Sequence, residues 1–422
     1  MSQPALSSAC GIDFGTSNST VGLVEQGRAR LIALEGDQPT LPSALFWDEE
    51  GGPPLFGRAA VAAYVSGEDG RLMRSLKSTL GTGLIRESTR IGRRAVPFAE
   101  VISRFFGHLR ARLDAEAGQR LTRAVLGRPV HFVDDDPEGD AAAEAALARI
   151  AKDQGFDEVS FQFEPLAAAL SYEATLAREE LVLIVDIGGG TSDFSLIRLS
   201  PERARAADRA ADILGNDGIR VGGTDFDRQF SMAEVMPELG MDSTTGGGRG
   251  RMPRHYYVDL ATWVRINMAY SQRNETDIKA LLKEADAPEK VARLLRVIET
   301  RAGHALAMAT EAAKIRLTAD EATRLELHAL TGGPNPVVTR PRLEAALEAP
   351  LARISERIGT VLAQAGLQAG AIDTVFLTGG AAQLPALARA VGSALPDTRL
   401  ATGDMLGSVG TGLAIEAARR YG

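Results

Sequence analysis

Two stretches of this chain, 173 residues apart, follow one pattern: "CGIDFGTSNSTVGLV" at 10–24 and "LVLIVDIGGGTSDFSLIRL" at 181–199. In each, an apolar run ends in an aspartate, Asp13 or Asp186, followed by glycine, a Thr-Ser pair and a second alternating run. Apolar run, tight Gly/Thr turn and alternating run together read as a β-hairpin. The second copy is almost wholly apolar before Asp186, which predicts a strand buried on both faces of its sheet. Three consecutive glycines, Gly188–Gly190, weaken any strand they interrupt, so the turn must need bare backbone. A repeat of this kind implies a duplicated, two-lobed protein. Elsewhere strands group in hairpins and are followed by helices, giving α/β with more antiparallel pairing than a dinucleotide-binding sheet.

A tight turn of Gly and Thr forms a concave nest of amides that suits anions, phosphate above all. Without Cβ atoms, Gly188–Gly190 let phosphate oxygens approach the backbone, and Thr16 and Thr191 add hydroxyls. A carboxylate beside a phosphate repels it unless a cation lies between, so Asp13 and Asp186 point to hydrated Mg²⁺. Two such hairpins facing across a cleft would clamp a polyphosphate, an arrangement suited to phosphoryl transfer. One copy alone could merely connect two strands; the second copy argues against that. The dipeptide Gly-Lys never occurs, which excludes the usual Walker A loop. "GSVGTG" at 407–412 lacks the context of a dinucleotide fingerprint and is expected to serve helix packing.

At 422 residues the chain has ample core for two lobes. Its net charge of −8 argues against general nucleic-acid or anionic-membrane binding. The single cysteine, Cys10, falls in an apolar strand and reads as a small buried hydrophobe in a reducing compartment. No signal peptide or transmembrane run is evident, so a cytoplasmic protein is expected. Residues 238–255 are glycine-rich and polar and read as a mobile loop. "LATWVRINM" reads as a helix whose buried stripe is Leu260, Trp263, Val264, Asn267 and Met268.

The segments "GIDFGTSNS", "FEPLAAALSY", "VDIGGGTSDFS", "VGGTDFD", "TEAAKIRLT" and "FLTGGAAQLP" occur here in a fixed order. In that order and spacing the chain resembles the nucleotide-binding domain of heat-shock-protein-70 (DnaK-type) chaperones, within the actin-like ATPase superfamily. The likeness runs from residue 10 to about 420, and the length and a helical insertion at about 238–305 resemble the short YegD-type members. It implies a two-lobed actin-like ATPase fold: duplicated ribonuclease-H-like cores with inserted subdomains around an ATP cleft. Lobe I would be 1–177, with a small insert at about 36–97. Lobe II would be 178–400, with a helical insert at about 226–320, and 401–422 would return to lobe I.

The resemblance assigns Gly15, Thr16 and Ser17 to the first phosphate loop and Gly188, Gly189, Gly190 and Thr191 to the second. Asp13, Asp186 and Asp193 would hold Mg²⁺ through water, with Asp13, Asp193 and Glu164 carrying catalysis. Glu164 would order the attacking water, and Pro165 and Pro129 would be the prolines of an interlobe relay. Gly222 and Gly223 would approach the nucleotide, Glu311, Lys314 and Thr318 would contact adenosine, and Gly379, Gly380 and Asp404 would line the far side of the base pocket. Glu311 and Lys314 could instead be an i,i+3 surface pair, and Asp404 could cap the last helix.

Two departures matter. Val61 stands where the family has a lysine that assists hydrolysis, leaving Arg58 or Lys77 as substitutes. The chain stops at Gly422, so no peptide-binding domain is expected. These readings give an Hsp70-like ATP-binding protein, a slow Mg-dependent ATPase and nucleotide-dependent switch, expected as a monomer binding ATP or ADP, with co-chaperones and clients unspecified. The alternatives are a pseudo-ATPase interaction module, a small-molecule kinase of the superfamily, and an actin-like filament former.

Overall fold

The computed structural model describes residues 6–92, 94–205, 209–403 and 407–422. The chain divides into two compact units, one running to Gly223 and resuming at Ala352–Gly422, the other Thr224–Leu351.

The first unit holds two sheets built alike. In one, the hairpin Leu6–Phe14/Asn18–Glu25 is antiparallel, and Arg123–Arg128 and Glu158–Phe163 add in parallel beyond its first strand. In the other, the hairpin Glu180–Ile187/Ser192–Leu199 is antiparallel, and Thr374–Thr378 and Arg399–Thr402 add in parallel beyond its first strand. The repeat seen in the sequence is therefore a repeat of topology. Both hairpins even share a register, with Asp13 opposite Thr20 and Asp186 opposite Asp193.

The helix Glu164–Glu173 packs on both sheets, and the helix Ser408–Tyr421 covers the first sheet and the Glu164–Glu173 helix. One core cluster accordingly draws on Ala9 and Val125, Ala167 and Ala168, Val182 and Ile184, and Leu413 and Ala417. Such close layering requires bare backbone at the crossing. A Cβ on Gly410 would lie 2.1 Å from Thr20 Oγ1, and one on Gly412 1.8 Å from the Ala167 carbonyl oxygen. The packing role expected for "GSVGTG" is thus met. Cys10 is fully buried, and that burial pushes its thiol up to about 12, far from a reactive thiolate.

The second unit is mainly helical, and two local readings need correction. The segment read as a mobile loop contains a short hairpin, Thr244–Thr245 with Gly250–Arg251. Asp286 pins its turn by accepting hydrogen bonds from Gly247 N–H, Gly248 N–H and the Thr244 hydroxyl. The stripe in "LATWVRINM" is also different, because Trp263–Tyr270 is a 3₁₀ helix rather than an α-helix. Its side chains eclipse every third residue, so Leu260, Trp263, Ile266 and Ala269 are buried while Met268 is exposed.

Candidate functional site

Both Gly/Thr turns lie in the first unit and meet. A Cβ on Gly189 would stand 2.3 Å from Ser17 Oγ, and one on Gly190 2.8 Å from Thr16 Oγ1. The turn at 219–223 closes from a third side: Gly223 N–H donates to the Gly188 carbonyl at 2.9 Å. A Cβ on Gly222 would lie 2.6 Å from Gly190 N. Ser43, which sequence reasoning missed, supports the first turn by donating to the Gly15 carbonyl at 2.7 Å and binding Ser17 O through its backbone N–H.

Beneath the turns lie the carboxylates. Asp186 and Asp193 are buried and stand directly opposite each other across their hairpin, a pairing of like charges that is unfavourable by itself. Glu164, at 7% exposure, opens its helix with Pro165 in the first turn, where a missing N–H costs nothing. Asp193 accepts the Val130 N–H, which ties it to the strand end that carries Pro129. Among these acids sits one buried ammonium: Lys77, from the 3₁₀ turn Leu76–Thr79, pairs with Glu164. Its sequence separation from Glu164 is 87 residues, so no local pattern could join them. Arg58 is directed elsewhere, onto Glu35 and Thr40.

Burial, then the Glu164 charge, pushes Asp13 and Asp193 each from 3.8 up to about 7. Burial and the neighbouring acids raise Asp186 well above its ordinary value. Burial would depress Lys77, but Glu164 and Asp13 outweigh it and its ammonium is held above the usual range. Folded-state values raised above the unfolded ones favour the fold most below pH 3.8, and that contribution is lost as pH rises through about 7. The protein free of metal and nucleotide is therefore expected to melt at progressively lower temperature between about pH 5 and 7 and to change little above that, with Mg²⁺ and nucleotide flattening the slope. Differential scanning calorimetry across that range checks it; a midpoint that rises with pH would contradict the electrostatics.

The remaining sequence-predicted residues divide. Gly379, buried with φ +86°, lies against Asp186: a Cβ there would approach Asp186 Oδ1 to 2.6 Å. Gly380 follows it, exposed, at the start of a 3₁₀ turn. Glu311, Lys314 and Thr318 share the helix Gly303–Ala319 of the second unit. Lys314 is no surface residue: it is buried and pairs with Asp227 at 2.7 Å. The Thr318 hydroxyl donates to the Ile315 carbonyl at 2.7 Å. Asp404 lies outside the described residues.

The chain matches the family described as Hsp70 protein over residues 87–245 and 278–418, more than half its length. It is 27% identical over 430 aligned residues to the chaperone protein HscA homolog of Aromatoleum aromaticum, an alignment covering 97% of this chain and 57% of that one. The chain thus spans little more than half the length of that relative. No helix among the described residues is long and apolar enough to cross a membrane.

Proposed function

This chain belongs to the Hsp70 family, and from that membership and the site's geometry we propose that it binds Mg-ATP and hydrolyses it slowly as a nucleotide-dependent chaperone switch. The observation that carries this reading is the meeting of the two turns, Gly189 and Gly190 against Ser17 and Thr16, above buried Asp186, Asp193 and Glu164. Gly15, Thr16, Ser17, Gly188, Gly189, Gly190 and Thr191 would take the phosphates, with bare backbone at Gly222 letting the third turn, Gly222 and Gly223, close against Gly188–Gly190 beside them. Gly379 and Gly380 would serve the nucleoside.

The acid cluster fits a hydrated cation. Three carboxylates raised by burial and by the Glu164 charge are costly unless positive charge joins them. Asp13, Asp186 and Asp193 would hold Mg²⁺ through its waters. Bound there, Mg²⁺ would neutralise charge on the transferred phosphoryl group. Glu164, fixed at a helix start, would orient a water. That water's oxygen bonds to the terminal phosphorus, the bond to the bridging oxygen breaks with its electrons leaving on ADP, and the proton passes to Glu164. The pseudo-ATPase alternative drew on Val61, and the presence of Lys77 among the acids favours turnover over it.

Isothermal calorimetry is expected to give saturable, Mg-dependent binding of both ADP and ATP at one site. Absence of binding to either nucleotide would overturn the reading, whatever the chain does with client proteins.

A further inference from the structure

The strand Arg123–Arg128 ends immediately before Pro129, and residues 129–132 belong to no strand or helix. Their backbone polar groups must find partners elsewhere. One side chain serves two of them: Arg128 donates from Nε to the Pro129 carbonyl at 3.0 Å and from an Nη to the Val130 carbonyl at 3.2 Å. Its other hydrogen bonds go to the opening turns of the helix Pro137–Asp153, to Asp140 at 2.5 Å and to Glu144. Asp140 completes the clamp, because its second oxygen accepts the Phe132 N–H. The Arg128 side chain is 13% exposed, and its guanidinium lies over the rings of Phe132 and Phe163, 5.3 and 5.2 Å from their centroids.

The Pro129 carbonyl and the Val130 N–H belong to one peptide unit. No described peptide bond is cis, and in a planar trans unit the C=O and N–H point in opposite directions. Holding the carbonyl on one side therefore aims the N–H on the other, and that N–H donates to Asp193 Oδ1. A cation on the carbonyl side also polarises the unit and makes its N–H a stronger donor. The far end of the segment is tied separately: Asp134 accepts the Arg220 N–H at 2.8 Å, and the Arg220 side chain donates to the Ser78 carbonyl at 2.8 Å. A clamp that served only to fix strand to helix would be complete with Asp140 and Glu144, and would need neither carbonyl.

We infer that Arg128 is a positioning residue for the proposed hydrolysis, acting through the Pro129–Val130 peptide to hold Asp193 in place. The inference rests on the nucleotide reading above, in which Asp193 helps to hold hydrated Mg²⁺. Arg128 stands on the opposite side of the peptide from Asp193, so its contribution is geometric. A carboxylate displaced by about an ångström would shift the metal's waters out of line, and displacements of that size cost on the order of 10²-fold in rate. The Gly/Thr turns that would take the phosphates do not touch the clamp, so nucleotide affinity should depend on it little.

Arg128→Lys, Arg128→Met and Glu144→Gln test the assignment. The readouts are single-turnover hydrolysis, ADP-binding calorimetry, and the Val130 amide resonance in protein carrying isotopically labelled valine, identified by its absence in Val130→Ile. A lysine keeps the charge beside Asp140 but lacks the fork that reaches the carbonyls as well. Both Arg128 variants are expected to hydrolyse ATP about 10–10²-fold more slowly and to bind ADP within about threefold of the wild type. In both, the Val130 amide proton should move upfield as its bond to Asp193 loosens. Glu144→Gln takes a charge from the same clamp but leaves both carbonyl contacts, so rate and resonance should stay as in the wild type. Wild-type turnover or an unmoved Val130 resonance in Arg128→Lys would overturn the assignment. So would equal losses in Arg128→Lys and Glu144→Gln, which would mark a purely structural clamp. Arg128→Lys decides the matter if Arg128→Met does not fold, and the resonance decides it if turnover is too slow to measure. If the wild type binds neither nucleotide, the underlying reading fails instead.

Discussion

Asp193→Asn is expected to lower single-turnover ATP hydrolysis by about 10²–10³-fold and, in the same protein, to raise the melting temperature of the nucleotide-free form. Both effects come from one charge. Asp193 is 1% exposed, faces Asp186 across the hairpin, and is pushed up to about 7 chiefly by burial. An asparagine has the same shape, and its side-chain oxygen can still accept the Val130 N–H. It removes the charge that the empty site must accommodate, so stability at pH 8 should rise by roughly 2 °C or more. The same change removes one of the anions proposed to hold hydrated Mg²⁺. Opposite signs for stability and activity would mark Asp193 as retained for chemistry. Lost stability with unchanged turnover would mark it as an ordinary part of the core.

Gly412→Ala is expected to be the most damaging single methyl group in the first unit. Its Cβ would stand 1.8 Å from the Ala167 carbonyl oxygen, and neither backbone can retreat, since each belongs to a helix packed on the first sheet. Overpacking of this kind costs about 1–3 kcal/mol and occasionally more, and here backbone meets backbone, so the upper end applies. The control is Gly359→Ala, in the helix Glu348–Ala365, where an added Cβ meets nothing within 4 Å. That change should stabilise by about 0.5–1 kcal/mol, as alanine generally does in an exposed helix. Urea melts of the two variants should move in opposite directions. Similar midpoints would mean that the helix–helix seam is looser than its geometry.

What the sequence disclosed followed from how local each feature is. The Asp-Gly-Thr-Ser turns are written within single hairpins, so their strands, turns and duplication could be read directly. The packing role of Gly410 and Gly412 was legible because two small residues one helical turn from a chain crossing leave few other uses. Lys77 and Glu164, by contrast, meet across 87 residues, and only the tertiary fold brings them together. The sequence named Lys77 beside Arg58 as a substitute cation, with nothing local to choose between them. Arg220 and Ser43 carried no signal, since an arginine or serine in a loop is ordinary until its partner is known. The stripe at 260–269 follows a three-residue period rather than 3.6, so Ile266 and Ala269 are buried where an α-helical period expects Val264, Asn267 and Met268.

The helix Ser408–Tyr421 has a further bearing, on the order in which the chain can acquire its structure. It covers the sheet begun by Leu6–Phe14, and the hydroxyl of Ser8 donates to the carbonyl of Tyr421 across 413 residues. Contacts of such separation cannot form early, because the entropy of closing so large a loop must be met before they contribute. During synthesis the first hairpin, with Asp13 and its Gly/Thr turn already made, has one face uncovered until residue 421 has emerged. Folding of the first unit should therefore be slow and end in a late docking step, with that apolar face exposed to aggregation until then.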